Sequence, residues 1–330
     1  MCTRALPLAL LLLGATGCPT GKPIPDETPL RKIPGGTFTL GPNRPDGMPT
    51  ACDYTQQTEI KRCDCGRQDF DPLGWIDDLT WVPAATATVA TFTLDEYEVT
   101  NAQYLYCVEM GVCTPPAETA VNGTPYYDAP DFETAPVVHV THEQAKRYCA
   151  FVGKLLPTEA QWERAARLGA GGAMNTYPWP GEEPTNCNSG SARFALAKGC
   201  RDTPQPADYS SADVTATGLR NMASNVSEWV RDGWNRYAYC EGGKGYDSGC
   251  QTTGATCPSC VADGAACAKS CDPSRLVICK AGSYAAAPDG GNEWVVRGGS
   301  WNHGLCYNRL YVRRKDSQAR AEIGFRCARE

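Results

Sequence analysis

The sequence predicts a domain of mixed helix and strand that has little regular secondary structure and is stabilised by disulfides. Three observations lead to this prediction. The chain has nineteen cysteines and begins with a segment typical of an export signal. Two stretches carry complete helix signals. Elsewhere, apolar runs are short and glycine and proline are frequent, with 33 and 25 residues respectively in the whole chain.

Residues 1–17 are predicted to be a signal peptide. Arg4 precedes an apolar run, Leu6 to Leu13, that is too short to cross a bilayer core of about 30 Å as a helix. The run ends in Ala15-Thr16-Gly17-Cys18, which resembles the lipobox of bacterial lipoproteins, where the new N-terminal cysteine is acylated. Ordinary secretion is the alternative, because a larger aliphatic residue is commoner where Ala15 stands.

If Cys18 is acylated, residues 18–30 form a lipidated tether, and the protein contacts the membrane through the lipid anchor only. By similarity to the sorting of such lipoproteins, Pro19 favours the outer membrane. The expected location is therefore the outer membrane, the periplasm or the cell surface of a Gram-negative bacterium.

Disulfides are expected because exported proteins encounter an oxidising compartment. Loss of Cys2 with the signal peptide and acylation of Cys18 leave seventeen cysteines, an odd number, so at least one thiol is free or pairs with another chain. Two segments, about 42–88 and 236–290, look inserted and show no helical or strand periodicity. The second holds seven cysteines, including Cys257-Pro-Ser-Cys260, for which disulfides are favoured over zinc or redox chemistry.

The helix signals are two capping boxes. Thr141 with Gln144 begins a helix that ends at Gly153, and Thr158 with Gln161 begins a second helix that Gly169 follows. Apolar residues recur at helical spacing in both, namely Ala145, Tyr148, Cys149 and Val152 in the first and Trp162, Ala165 and Ala166 in the second. The stretch "FTLDEYEVT" alternates in the manner of a strand.

Composition excludes some functions. A net charge of −6 and a pI near 5.3 give no electrostatic basis for binding nucleic acid. Neither the phosphate-binding G-x-x-x-x-G-K-[ST] motif nor the G-x-S-x-G motif of hydrolases occurs.

Six stretches occur in the order in which one enzyme family carries them. They are "IPGGTFTLG", "FTLDEYEVTNAQY", "PVVHVTHEQAKRYCAFVGKLLPTEAQWERAAR", "TGLRNMASNVSEW", "VVRGGSW" and "IGFRCARE". Together they resemble the formylglycine-generating enzyme (sulfatase-modifying factor) family over residues 31–330. The resemblance implies one α+β domain, related to the C-type lectin fold, with bound calcium.

The resemblance also implies a disulfide between Cys149 and Cys327. A second family bridge would join the positions of Ala166 and Arg313, and both of its cysteines are absent here.

Two calcium sites are implied by the same resemblance. The first would use the side chains of Asn221 and Glu228 and the carbonyls of Ser224 and Val226, since Ca²⁺ takes oxygen ligands. The second would use Asn188, Ser189, Asp202 and Pro204. The alternative for the first site is that Asn221 and Glu228 only bind loop backbone.

Members that oxidise a cysteine to formylglycine carry two copper-binding cysteines, three and eight residues beyond the serine of Gly-Gly-Ser. These positions are His303 and Asn308 here, so copper is not expected to bind as it does in the family. The family's usual Trp before Glu-Trp is Ser227, a further departure.

Ser300, His303 and Cys306 remain the candidates for catalysis. A metal site of His303 and Cys306 is conceivable, but a bridge from Cys306 to the Cys-rich insertion, with His303 at the surface, is the simpler interpretation. A site of His139, His142 and His303 lacks a carboxylate pattern, and a triad of Ser300, His303 and an Asp has nothing in the sequence to position it.

Two functions therefore remain. The favoured one is a non-catalytic, lipid-anchored envelope protein that binds a peptide, a glycan or an envelope protein, or that serves as a scaffold. The alternative is a formylglycine-generating oxidase, or a related oxidoreductase, with an altered metal site.

Overall fold

A computed structural model describes residues 25–41, 84–172, 174–178, 201–209, 213–235, 238–239, 246–247, 277–278, 283–284, 291–303 and 305–330. The predicted signal peptide, Cys18, most of both predicted insertions, Asn188 and Ser189 lie outside these ranges, and of Cys306 only the backbone is described. Within them, no helix is long and apolar enough to cross a membrane.

The described elements are short strands and three α-helices. The strands are β1 (Leu30–Ile33), β2 (Gly36–Leu40), β3 (Ala85–Val89), β4 (Phe92–Asp95), β5 (Ala120–Val121), β6 (Thr124–Pro125), β7 (Ser227–Gly233), β8 (Tyr246–Asp247), β9 (Val277–Ile278), β10 (Trp294–Arg297), β11 (Arg313–Asp316), β12 (Ile323–Gly324) and β13 (Ala328–Arg329). The helices are α1 (Asn101–Glu109), α2 (His142–Phe151) and α3 (Glu159–Arg167), and short 3₁₀ turns span Pro130–Phe132, Ala170–Gly172 and Leu305–Asn308.

Two sheets organise the domain. One has the strand order β11-β10-β7-β12, in which β12 runs parallel to β7 and the other pairs are antiparallel. The other has the order β1-β4-β13 and is antiparallel. The remaining described pairs, β2-β3, β5-β6 and β8-β9, are two-stranded. Little regular structure joins these elements, and the predicted α+β class is confirmed.

Both predicted capping boxes are confirmed. The Thr141 side chain accepts from the Gln144 amide, and the Gln144 side chain accepts from the Thr141 amide; Thr158 and Gln161 repeat the arrangement at α3. The chain leaves α2 at Gly153, whose φ of 69° favours glycine. The burial of α3 extends beyond the predicted stripe, since all nine of its residues are buried.

Helix α1 was not among the predicted elements. It begins with a third capping box, formed by Thr100 and Gln103. The predicted strand over Phe92–Thr100 ends at Asp95, because the chain turns there toward this helix. A disulfide that the sequence analysis did not predict, Cys107–Cys113, closes the C-terminal end of α1.

The first predicted insertion ends earlier than expected. Its last residues form β3, which pairs in register with β2, for example Phe38 with Ala87. The alternating burial of Ala85–Val89 shows strand periodicity in a segment that was expected to have none.

The hydrophobic core lies on both faces of β7. Trp229 packs with Tyr148, Phe325 and the disulfide Cys149–Cys327, while its neighbour Val230 packs with Trp162 and the centre of the other sheet. Consecutive residues of a strand point to opposite faces. Strand β7 therefore joins the two cores, and the loop that leads into it, residues 221–226, packs Met222 and Ala223 into the second core.

Candidate functional site

The Gly-Gly-Ser stretch lies against loop 221–226. Gly298 follows β10 with a φ of 77°, and a Cβ on it would lie 2.9 Å from the Met222 carbonyl oxygen. A Cβ on Gly299 would lie 2.6 Å from the Ala223 carbonyl oxygen. Side chains at either position would push the two loops apart, so the glycines are needed for this close approach.

His303 lies between Ser300 and Arg314. Its Nδ1 is 2.6 Å from the Ser300 hydroxyl, its Nε2 is 3.3 Å from Nη1 of Arg314, and its ring stacks on Tyr307 with centroids 4.8 Å apart. Arginine has only donors, so Nε2 must accept and Nδ1 carries the ring proton of the neutral imidazole. The Ser300 hydroxyl therefore accepts from His303.

This arrangement opposes a serine-based triad. A general base would need its unprotonated nitrogen at the Ser300 hydroxyl, whereas that nitrogen faces a guanidinium. The expectation of a surface His303 was wrong, because its side chain is buried with 4% exposure. Pairing with Arg314 draws the ring inward.

Asn308 and Ser227 complete the surroundings. The amide of Asn308 donates to the Ala223 carbonyl. Nη2 of Arg314 donates to the Ser227 hydroxyl at 2.5 Å, and that hydroxyl donates to the Gly298 carbonyl at 3.0 Å. A small side chain at 227 thus leaves room for the Arg314 guanidinium. Copper(I) prefers thiolates, and a cation beside His303 and Asn308 does not fit it.

A buried carboxyl lies near this guanidinium. Burial raises the pKa of Glu322 to about 7, although the charge of Arg314 opposes the shift. One oxygen of Glu322 has no hydrogen-bond partner among the described residues.

The other two histidines do not join His303. His142 Nε2 lies 2.9 Å from the Val230 carbonyl, and its ring stacks on Trp294 with centroids 3.8 Å apart. Burial lowers the pKa of His142 to about 4. His139 is buried with a left-handed φ of 57°, and burial lowers its pKa as well. Across the described ranges, no three His, Cys, Asp or Glu side chains converge as a metal site.

The first predicted calcium site lies in the buried loop 221–226. Asn221 donates its amide to Glu98 at 2.9 Å and to the Ala207 carbonyl at 2.8 Å, while its side-chain oxygen has no partner within the described part of the chain. Glu228 accepts from Trp162 at 2.7 Å and from Arg326 at 2.8 and 2.9 Å. The predicted ligands are thus close in the fold, but Glu228 already has strong donors.

The carboxyl groups of Glu98, Asp213 and Glu228 are buried around this loop. Glu98 accepts from Asn221 and, at 3.1 Å, from Asn225, and Asp213 accepts from the Ser224 hydroxyl at 2.6 Å. Burial raises the pKa of Glu98 to about 8 and that of Asp213 to about 6. The side-chain oxygen of Asn221, which has no partner among the described residues, fits a hard cation, which would be held by Asn221 and the neighbouring carbonyls.

The second predicted calcium site is only partly within the described residues. Asp202 is exposed, and its carbonyl accepts from Asn122 at 2.9 Å; Pro204 is buried. Because Asn188 and Ser189 lie outside the described ranges, this site stays a prediction.

The Cys149–Cys327 disulfide joins α2 to the segment after β12, as the resemblance implies, and that prediction is confirmed. Where the second family bridge is missing, Ala166 and Arg313 are both buried, and Arg313 pairs with Glu159 of α3.

The fold and the Gly-Gly-Ser loop define a protein of the sulfatase-modifying-factor class. The sulfatase-modifying factor enzyme 1-like domain matches residues 23–330, and the chain belongs to that family. A formylglycine-generating enzyme of Thermomonospora curvata is 29% identical over 249 residues, which cover 62% of this chain and 71% of that enzyme. An inactive C-alpha-formylglycine-generating enzyme 2 of Bos taurus is 36% identical over 106 residues, 29% of this chain and 32% of that protein.

Solved structures agree on the fold. PvdO from Pseudomonas aeruginosa superposes with a TM-score of 0.54 at 21% identity, covering 91% of this chain and 94% of that one.

Proposed function

We propose that this protein is an exported, lipid-anchored envelope protein whose sulfatase-modifying-factor domain binds a partner without catalysing thiol oxidation. The observation that carries the proposal is the chain of contacts from Ser227 through Arg314 to His303. It places a permanent cation and a buried imidazole in the segment where catalytic relatives carry their copper thiolates. Neither His303 nor Asn308 offers a thiolate.

The scaffold around the segment is complete. The Cys149–Cys327 bridge, the two-sided core of β7 and the buried loop 221–226 all support a stable domain. A calcium ion at Asn221 is part of the proposal and would be structural. The partner would be a peptide, a glycan or another envelope protein, bound by loops on this scaffold.

Copper titration combined with oxygen consumption tests the proposal. Purified protein and the Thermomonospora curvata enzyme would each be loaded with Cu(I) and given a cysteine-containing peptide. We expect oxygen uptake from the relative and none from this protein. Copper-dependent uptake that is lost in His303→Ala would overturn the proposal and establish an oxidase with an altered metal site.

A further inference from the structure

The start of the described chain is fixed on one side of the domain. The Gln103 side chain donates to the Asp26 carbonyl at 2.8 Å and to the Thr28 hydroxyl at 3.0 Å, and Thr28 is buried. The chain then enters β1, an edge strand of the β1-β4-β13 sheet. The sheet and the tether are therefore neighbours.

The tether is short. Six residues lie between Cys18 and Pro25, which makes seven residue steps from one to the other. A fully extended chain spans at most about 3.6 Å per step, or about 25 Å here. An acylated Cys18 would lie at the bilayer surface. The edge of the domain that carries β1 must then stay within that distance of the headgroups.

The outward face of this sheet carries two cations in register. Lys32 of β1 and Arg329 of β13 both lie opposite Thr93 of β4, so the three side chains share one face. The two cations flank the central strand and are about 10 Å apart, two strand spacings. Both are exposed, and in the described part of the chain neither has an ion-pair partner.

The surroundings suit a lipid surface. Leu30, two residues before Lys32 on the same face, is 36% exposed, an unusual exposure for a large apolar side chain in this domain. The adjacent carboxylate of Glu330 pairs with Arg231 at 2.9 Å, which reduces its repulsion of anionic headgroups. Asp26 and Glu27 are also exposed, but they precede β1 and are not among the residues that share a face with Lys32.

We infer that the face formed by Leu30, Lys32 and Arg329 docks on the anionic headgroups of the membrane that holds the anchor. This inference rests on the proposed lipidation of Cys18. Each cation near an anionic surface contributes favourably, and the tether supplies a high local concentration of that surface. Docking would fix the orientation of the domain, so that the opposite side faces its partner.

The test uses the full acylated protein reconstituted in phosphatidylcholine vesicles with or without phosphatidylglycerol. Flotation of the vesicles shows whether the lipid anchor holds the protein on the membrane. The docked face is measured by chemical labelling of exposed lysines with a water-soluble ester, and mass spectrometry gives the labelling rate of each lysine. We expect the protein to float with both kinds of vesicle. Phosphatidylglycerol should slow the labelling of Lys32 about fivefold, the factor expected from one cation near an anionic surface. Lys146, which is exposed on α2 outside the sheet, should react equally in both.

Two variants sharpen the result. Arg329→Glu should restore the reactivity of Lys32 without changing flotation, and Lys146→Glu should leave the protection of Lys32 intact. If the protein floats but Lys32 is not protected from labelling, the docking of this face is wrong and the proposed lipid anchor still holds. Failure to float, with no acyl mass on Cys18, would overturn both the anchor and the inference.

Discussion

Arg313 of β11 and Glu159 of α3 form a buried, two-pronged ion pair, with Nε to Oε1 at 2.7 Å and Nη2 to Oε2 at 2.9 Å. Arg313 also donates to the Asn235 carbonyl at 2.9 Å. This pair connects α3 to the sheet, and Arg313 itself stands where the resemblance to the family implies a cysteine of a second disulfide. An ionic contact therefore joins α3 and β11 here.

Removing one partner should be costly. Arg313→Ala would leave Arg297, at 3.2 Å, as the cation beside the buried Glu159 carboxylate. We therefore expect a loss of about 3 kcal/mol in the free energy of unfolding, the lower end of the range for breaking a buried ion pair. Urea unfolding followed by tryptophan fluorescence measures it. The matched control is Lys315→Ala, whose partner Glu293 is half-exposed and whose loss should cost at most about 1 kcal/mol. Equal effects of the two variants would contradict a structural role for the Arg313 pair.

The two disulfides should differ in their contributions. Cys149–Cys327 closes a loop of 178 residues and Cys107–Cys113 a loop of six. Loop-closure entropy predicts losses of about 5 and about 2 kcal/mol when each pair is replaced by alanines. Thermal unfolding of the two double variants, each with the other disulfide intact, would show which disulfide contributes more to stability. A larger effect of the short loop would contradict the expectation.

His142 should make the protein sensitive to acid. Its pKa of about 4 in the folded state lies below the ordinary value of about 6.5 because the ring is buried. For a base with a lowered pKa, the unfolded chain binds the proton first, so stability is complete above about pH 6.5 and falls as the pH drops toward 4. The loss attributable to this ring is up to about 3 kcal/mol.

The measurement is the pH dependence of urea unfolding in the wild type and in His142→Gln. As the pH falls from 6.5 to 4, the free energy of unfolding of the wild type should decrease relative to that of His142→Gln. A constant difference over that range would show that the ring is not the titrating group.

His303 should hold its proton on Nδ1. The contact with Arg314 leaves Nε2 as an acceptor, and ¹⁵N NMR distinguishes the two tautomers by their shifts. In Arg314→Gln an amide replaces the obligatory donor, and we expect a mixture of tautomers. A wild-type ring protonated on Nε2 would contradict the contact and revive Ser300 as a candidate nucleophile.

Calcium should raise the melting temperature. A divalent cation held at Asn221 would bind the folded protein and not the unfolded chain, and it would therefore stabilise the fold. We expect a chelator to lower the melting temperature by several degrees and calcium to restore it. Asn221→Ala should abolish the response, whereas Asn292→Ala, which changes an exposed asparagine outside both predicted calcium sites, should retain it. An identical response in both variants would place the ion elsewhere.

The sequence predicted those parts of the fold that depend on local chemistry or on a family pattern. The capping boxes at Thr141 and Thr158 use residues three apart, and the Cys149–Cys327 bridge follows a motif. Helix α1 was not predicted although Thr100 and Gln103 form the same capping box. The strand-like alternation that begins at Phe92 was extended as far as Thr100, which is the N-cap of this helix. The separation of only six residues between Cys107 and Cys113 could also have indicated a local disulfide.

The candidate site could be predicted less fully. That His303 and Asn308 replace cysteines is evident from the sequence, but the burial of His303 depends on Arg314, eleven residues away, and on the small Ser227 of another strand. Contacts across strands depend on register, which a single sequence leaves open here.

The packing of strand β7 determines how the domain unfolds. Because Trp229 and Val230 anchor it in both cores at once, neither core can loosen without moving the other. The protein should therefore melt in one step, with amide hydrogen exchange in β7 occurring only through global opening. An ion bound at the entrance to β7 would then act on the cooperativity of the whole domain.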